Sequence, residues 1–568
     1  MAKYIKDIYA KAWGTKGSYL DKDVVVKIVP SPIGGWDSLS PLAVMEPKYA
    51  ASMTNWVPRT GWIEIRGGYN TWVAHASSVN PGTAVETLMA YRPKANNGVQ
   101  SLFAASGTTI SDVTTNGIAS DVVTSKSGAR YQYVNFTPSL GSSYLLAVNG
   151  LDTGVVSYNG TTWSNTSITG TSTGIFANIN IFKRRVWLIE PSSTIAWFLG
   201  TDAISGSASS QDIGPFLSKG GYLMAMGTWT IDGGNGPDDL AVFMSSEGQA
   251  VVYKGTDPSN VNAWALVGVF DLPKPIGRRC FYRLGSDLML ITEQGVLPIS
   301  QALPLDSSSV RNVALTNRIQ NSMQEAATAY INNFGWQFIA FPQQSLLFLN
   351  IPQVENSTQI QFVQNALTGA WTAFNGWNAN CFEIFNGSLY FGDNLGGVNL
   401  AYAGGLDKVN PIVADVKCAF NYLDEPGRIK NANLVRPFLV ADGTLTPTIQ
   451  IDVDFESSTV SAPVTILTPT GAVWDASAWD SSLWSTGVST VLNWLSCNAL
   501  GTALAIRMIV NLAGGGSSSA VAQSSVFDTG VFDTALFDGN GAVIRSGLGV
   551  PVLKINTFEL SVEYGGPV

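Results

Sequence analysis

Apolar residues fall along this chain in short runs cut by turn-forming pairs, the pattern of strands and hairpins rather than of helices. Residues 144–148 (YLLAV) and 154–158 (GVVSY) are followed by an Asn-Gly pair and a further run from Trp163. The same strand–turn–strand unit recurs at 240–244 with 249–253, at 287–292 with 295–299, and at 381–385 with 388–391. The units follow one another at roughly 40–50 residues, the period of propeller blades or of a large barrel. Asn-Gly stands at Asn97, Asn116, Asn149, Asn159, Asn235, Asn375, Asn386 and Asn540, and Asp-Gly at Asp232, Asp442 and Asp538. Both pairs tolerate the two positive φ angles of a type I′ turn, so tight hairpins are expected there. The units diverge too far from one another to fix a blade count.

One segment departs from this texture. Residues 313–330 lack Gly and Pro and place Val313, Leu315, Ile319, Met323, Ala326, Ala327 and Tyr330 at helical spacing. The spacing predicts a helix packed on the sheets or offered to a partner, with Ser308 or Ser309 as its cap. Beyond Gly404 and Gly405 a new sheet is expected, with strands over 415–420 and 434–440. There Ile449, Ile451, Val453 and Phe455 alternate with Gln450, Asp452, Asp454 and Glu456, which predicts one strand with an apolar and an acidic face. Two runs with a five-residue step follow, Trp474, Trp479 and Trp484, then Phe527, Phe532 and Phe537. That step fits neither strand nor helix, so each unit is expected to be a turn whose aromatic docks in a groove. These six are candidate subunit-interface aromatics; capping of the chain's own sheet edges and a saccharide-binding ladder are the alternatives.

The expected architecture is mainly β, multi-domain and β-propeller-containing, with few short helices. An N-terminal extension and platform segment spans 1–70, a β-propeller region 71–410, and a β-rich, sandwich-like C-terminal or platform domain 411–568. A length of 568 residues agrees with several domains and with cores large enough to need no staple.

Composition narrows the function classes. Lys+Arg 32 against Asp+Glu 41 leaves a net charge of −9, and the sequence pI is about 4.8. Such a chain is not built to grip nucleic acid, which takes clustered Lys and Arg. Charged residues are 13% of the chain, about half the usual quarter, and the mean hydropathy is +0.15, so disorder is not expected. The only histidine, His75, argues against triads and His-rich metal sites. No eighteen-residue apolar run predicts a membrane span, and the first twenty residues lack the apolar core of a secretory signal. Cys280, Cys381, Cys418 and Cys497 are widely spaced, which fits buried free thiols better than disulfides or a metal site.

Residues 170–174 match G-x-S-x-G, but they lie in a Ser/Thr/Gly loop with the only histidine upstream, so no hydrolase elbow is expected. The trio Asp452, Asp454 and Glu456 would need loop oxygens to wrap Ca²⁺, which a flat strand does not supply. No carboxylate pair singles itself out for glycan hydrolysis. The basic clusters Lys183-Arg184-Arg185 and Arg278-Arg279 are read as inter-blade or inter-subunit ion pairs in preference to DNA contacts. No catalytic residue, cofactor or metal ligand is therefore nominated.

Several stretches are similar to known proteins in their order along the chain. Residues 30–36 (PSPIGGW), 55–58 (NWVP) and 65–69 (IRGGY) resemble the opening of tail nozzle, or tail hub, proteins of short-tailed bacteriophages. So do 85–91, 102–107, 185–190 with 196–199, 246–248, 253–258, 277–280, 368–371 and 375–378. The resemblance implies a propeller-containing virion subunit that assembles in the host cytoplasm as a homohexameric ring below the portal and adaptor. Its partners would be its own copies, the head-to-tail adaptor, tail fibres or tailspikes, and double-stranded DNA passing without sequence-specific contact. An acidic wall suits that role, because a basic lumen would retain a polyanion. Asp238, Asp239, Asp452, Asp454 and Glu456 are the candidate lumen-facing acids. A virion-surface carbohydrate-binding propeller and a tail-associated glycan-degrading enzyme remain as alternatives.

Overall fold

The computed structural model describes residues 24–94, 98–232, 237–306, 309–442, 447–457, 488–512 and 553–567. Most of the middle of the chain forms consecutive antiparallel blades. Blade 1 covers 85–123, blade 2 132–166, blade 3 178–212, blade 4 223–271, and blade 5, three-stranded, 281–298. Blade 6 covers 337–374, and blade 7 joins 379–401 to the strand Tyr69–Val73 from ahead of blade 1. This closes the ring across the chain's two passes through it. Each of the seven junctions between neighbouring blades, including 7 with 1, has its own apolar cluster. Between blades 3 and 4, for example, Trp187 stacks on Trp264 at 5.7 Å and meets Phe243 edge-on. The middle strands are covered on both faces, which is why Leu145–Val148 and Leu288–Thr292 read as continuous apolar runs.

A β-sandwich is built from both ends of the chain. One sheet carries Val24–Pro30, Leu553–Pro567 and Arg428–Asp442 side by side, with Ile63–Ile65 and Leu495–Gly501. The other carries Tyr49–Thr54, Asn410–Cys418, Leu504–Leu512 and Thr448–Val453. Met53, Trp56, Val416, Val435, Met508 and Phe558 fill the space between them. The 1–70 segment, expected as an N-terminal extension and platform segment, supplies strands to the sandwich, which is built from residues before 70 as well as after 410. Gly35 also pairs with Trp371 of blade 6, so the second sheet runs on into the propeller.

Three local expectations are corrected. The helix begins at Gln320 and runs to Tyr330; 310–313 and 315–319 are 3₁₀ turns. Ser309 stands before the first turn but makes no side-chain cap, and its hydroxyl bonds the Asp306 carbonyl instead. Ser308 lies outside the described residues. The strand expected over 449–456 ends at Val453, because Asp454 and Phe455 turn with φ of 48° and 69°. Among the described Asn-Gly pairs only Asn386-Gly387 has both φ positive. At Asn149 and Asn159 the side-chain oxygen accepts backbone N–H groups two and three residues on, an Asx turn with only the glycine left-handed.

Arg66 ties these parts together. It is fully buried, and each of its five N–H donors has an acceptor. Nε bonds Asn55 Oδ1 at 2.8 Å, Nη1 bonds the Gly67 carbonyl and Asp407 Oδ1, and Nη2 bonds the Asn375 carbonyl and Asp407 Oδ2 at 2.6 Å. The guanidinium lies 5.0 Å from the Trp377 ring, whose Nε1 also donates to Asp407. Two residues on, a Cβ at Gly68 would sit 1.9 Å from the Leu406 carbonyl oxygen, so only glycine fits. Arg66→Met should cost about 3–5 kcal/mol by stranding the Asp407 charge, read from chemical denaturation. An unchanged midpoint would show that the pair holds nothing together.

Candidate functional site

The candidate acids differ in their surroundings. Asp239 of blade 4 accepts from Thr230 Oγ1 at 2.8 Å and pairs with Lys183 of blade 3 at 3.1 Å. Asp238 stands opposite Ile231 in the same hairpin. Asp452 is not a surface acid: it is fully buried, pairs with Lys417 at 2.7 Å and accepts from Gln450 Nε2. Beside it Arg507 makes two bonds to Asp415, so this sheet face is a ladder of paired charges instead of a bare acidic one. The reason is register, which sets Gln450 and Lys417 on either side of Arg507. Glu456 is exposed beyond the strand end. Trp474, Trp479, Trp484, Phe527, Phe532 and Phe537 lie outside the described residues.

Asp454 organises the turn it stands in. Its Oδ1 accepts the Thr502 hydroxyl and the N–H groups of Thr502 and Ala503. Burial pushes its pKa up, but these bonds and the Lys430 charge outweigh that and hold the carboxyl below its usual value.

The basic clusters join blades. Lys183 and Arg184 are the two turn residues between Asn178–Phe182 and Arg185–Ile189, with φ of 44° and 62°. Non-glycine residues in that conformation carry strain. Ion pairs compensate it: Lys183 with Asp239, Arg184 with Asp202, and Arg185 with Asp257 at 3.1 Å. Arg279, ahead of blade 5, reaches across to the Glu86 carbonyl and Thr87 Oγ1 of blade 1 and to Tyr131 beside blade 2.

The first strands of all the blades surround an axial cavity of about 530 Å³. Neighbouring first strands are bridged there by side chains, a signal the apolar pattern does not carry. Asn178 accepts the Met226 N–H, Asn180 donates to Thr228, and Gln337 both donates to and accepts from Phe382. Glu383 is the cavity's carboxylate. It pairs with Arg92 at 2.6 Å and accepts from the Tyr133 hydroxyl at 2.5 Å. Burial raises the Glu383 pKa against the pull of both partners.

Cys280, Cys381, Cys418 and Cys497 are free, and burial pushes each thiol up to about 12, so they are protonated at neutral pH. His75 is exposed. Among the described residues no group of His, Cys, Asp and Glu is arranged to hold a metal ion, and no helix is long and apolar enough to cross a membrane.

One surface exposes several apolar side chains beside polar ones, Ile28 sharing its row with the Arg436–Glu559 ion pair. On the outer face of the first sandwich sheet, Val24, Val26, Ile28, Leu434 and Leu500 are exposed, Ile28 to 68% and Leu500 to 64%. Register places Val26, Ser561 and Leu434 in one row, and Val24, Glu563, Asn431 and Leu500 in the next. Val24–Pro30 pairs on one side with Leu553–Pro567, and its other edge meets no strand among the described residues.

No protein-family model matches the chain, and no curated protein matches it. Solved structures with similarity include a computationally designed protein, Ika8, at 12% identity and TM-score 0.33, covering 59% of this chain and 99% of that one. YCF48 from Cyanidioschyzon merolae is 10% identical with TM-score 0.33, covering 56% and 96%. A quinonprotein alcohol dehydrogenase-like protein from Bacteroides thetaiotaomicron is 10% identical with TM-score 0.28, covering 62% and 68%.

Asp454→Ala should lower stability by about 1–2 kcal/mol at pH 7. Its folded pKa lies below the unfolded value near 3.8, so the loss is complete above that value and fades as pH falls through the folded one. Urea unfolding at pH 7 and in acid checks this; a loss that persists in acid would assign it to something other than the carboxylate.

Proposed function

We propose that this chain is a structural subunit of tail-nozzle type, closing with its own copies into a homohexameric ring that retains and then passes genome DNA. The observation that carries the reading is the exposed apolar face around the open-edged strand Val24–Pro30. Exposed apolar side chains grouped beside an unpaired edge are covered in assemblies and avoided on monomers. A ring needs such a surface to meet a different one on the next copy.

Two further observations support it. The segments that carry the resemblance to nozzle proteins hold the fold's own junctions: 65–69 and 375–378 surround Arg66, and 277–280 contains Arg279. A net charge of −9 suits a wall that must not trap a polyanion. In this reading the chain acts in the virion tail with the adaptor above and fibres or tailspikes alongside, and it performs no catalytic step.

Mass photometry of the purified chain should give a species at six times 60.4 kDa. The double substitution Val26→Lys, Ile28→Glu should return it to single-subunit mass without loss of strand circular dichroism. A wild-type chain that stays at 60.4 kDa at micromolar concentration would overturn the ring, and a variant that still assembles would overturn the assignment of this face. Duplex DNA should be neither retarded nor shifted by the assembled protein at about 0.15 M salt.

A further inference from the structure

The axial cavity has a charge opposite to that of the chain around it. The protein carries −9, yet among the described residues the ionised groups lining the cavity are the guanidiniums of Arg92, Arg278, Arg279 and Arg283 and one carboxylate, Glu383. Glu383 is engaged by Arg92. The other three arginines form no ion pair with a described carboxylate, unlike Arg59, Arg66, Arg130, Arg184 or Arg185 elsewhere in the fold.

Their hydrogen bonds leave guanidinium donors unused. Arg278 lies 6.0 Å from the centroid of the Tyr222 ring, and its one hydrogen bond among the described residues runs from Nη1 to the Met224 carbonyl, at 3.5 Å. Arg279 spends Nη2 on blades 1 and 2, while its Nη1 is buried without an acceptor. The nearest acid to it, Glu86, is held by Arg130, which also binds Glu355. Arg130 and Arg279 lie against the same Phe334 ring, 4.3 and 4.8 Å from its centroid. Burial lowers the pKa of Arg278 and Arg279; Glu86 pulls the other way on Arg279, whereas no carboxylate does so on Arg278. A fork of guanidinium donors matches the oxygen geometry of phosphate and sulfate.

We propose that the axial cavity is a binding site for a small inorganic oxyanion of the phosphate or sulfate class, held by Arg278 among the arginines that line it. The ion supplies the counter-charge that Arg278 lacks. This site is independent of ring assembly and belongs to the single chain.

The test is thermal unfolding and titration calorimetry of the full chain with inorganic phosphate replacing chloride at constant ionic strength. Phosphate and sulfate should each give a saturable rise in Tm of roughly 2–4 °C. Arg278→Gln, which gives up one long hydrogen bond, should fold and bind phosphate at least roughly tenfold more weakly. Arg184→Gln, outside the cavity, should keep the full response. Equal Tm in phosphate and chloride would overturn the proposal. So would an Arg278→Gln protein that responds like the wild type, or loss of the response in Arg184→Gln.

Discussion

The structure depends on a single buried guanidinium. Arg66 leaves the sandwich at the end of Ile63–Ile65 and enters the junction where blade 6 passes into blade 7. An unpaired charge at full burial would cost several kcal/mol. Here two carboxylate oxygens, two backbone carbonyls and the Asn55 amide oxygen complete its bonding. Because those acceptors come from both passes of the chain, the arginine is satisfied only when the sandwich and the closed propeller are both in place. Asn55 extends the lock by donating to Asn375 and to the Val413 carbonyl.

The scarcity of charge follows from the same architecture. A ring of blades buries both faces of its middle strands, so few positions are left for ionised groups. Some of those present are used at junctions, Lys183 with Asp239 and Arg185 with Asp257 between blades 3 and 4, while others, such as Lys417 with Asp452, pair within one sheet of the sandwich. Between first strands, where no backbone pairing is available, amides and hydroxyls of Asn178, Asn180, Gln337 and Tyr133 take over. This makes the axis polar, and the arginines that converge there make it cationic within an acidic protein.

Local pattern reading identified what local forces decide. Strands at 144–148 and 287–292 came from apolar runs between turn signals and agree with the observed bounds. Leu315 and Ile319 have helical spacing, yet the chain there takes 3₁₀ turns that pack against blades 5 and 6, and the regular helix starts only at Gln320. The acidic face expected on 449–456 failed in an instructive way. Alternation was right as far as Val453, but alternation alone does not tell whether a polar face meets water or the charges of a neighbouring strand.

The sequence by itself determined the class of structure: short strands, a repeated hairpin unit, a second β-rich region beyond residue 410, and an acidic chain with little ionisable chemistry. These depend on residue periodicity and composition, which act over a few neighbours. Only the tertiary structure decided the closure of the ring by Tyr69–Val73, the sharing of the sandwich between both chain ends, and the gathering of Arg92, Arg278, Arg279 and Arg283 around one axis. Those are relations between residues up to hundreds of positions apart. They are set by which strand edges and buried charges find partners, and no local pattern encodes that.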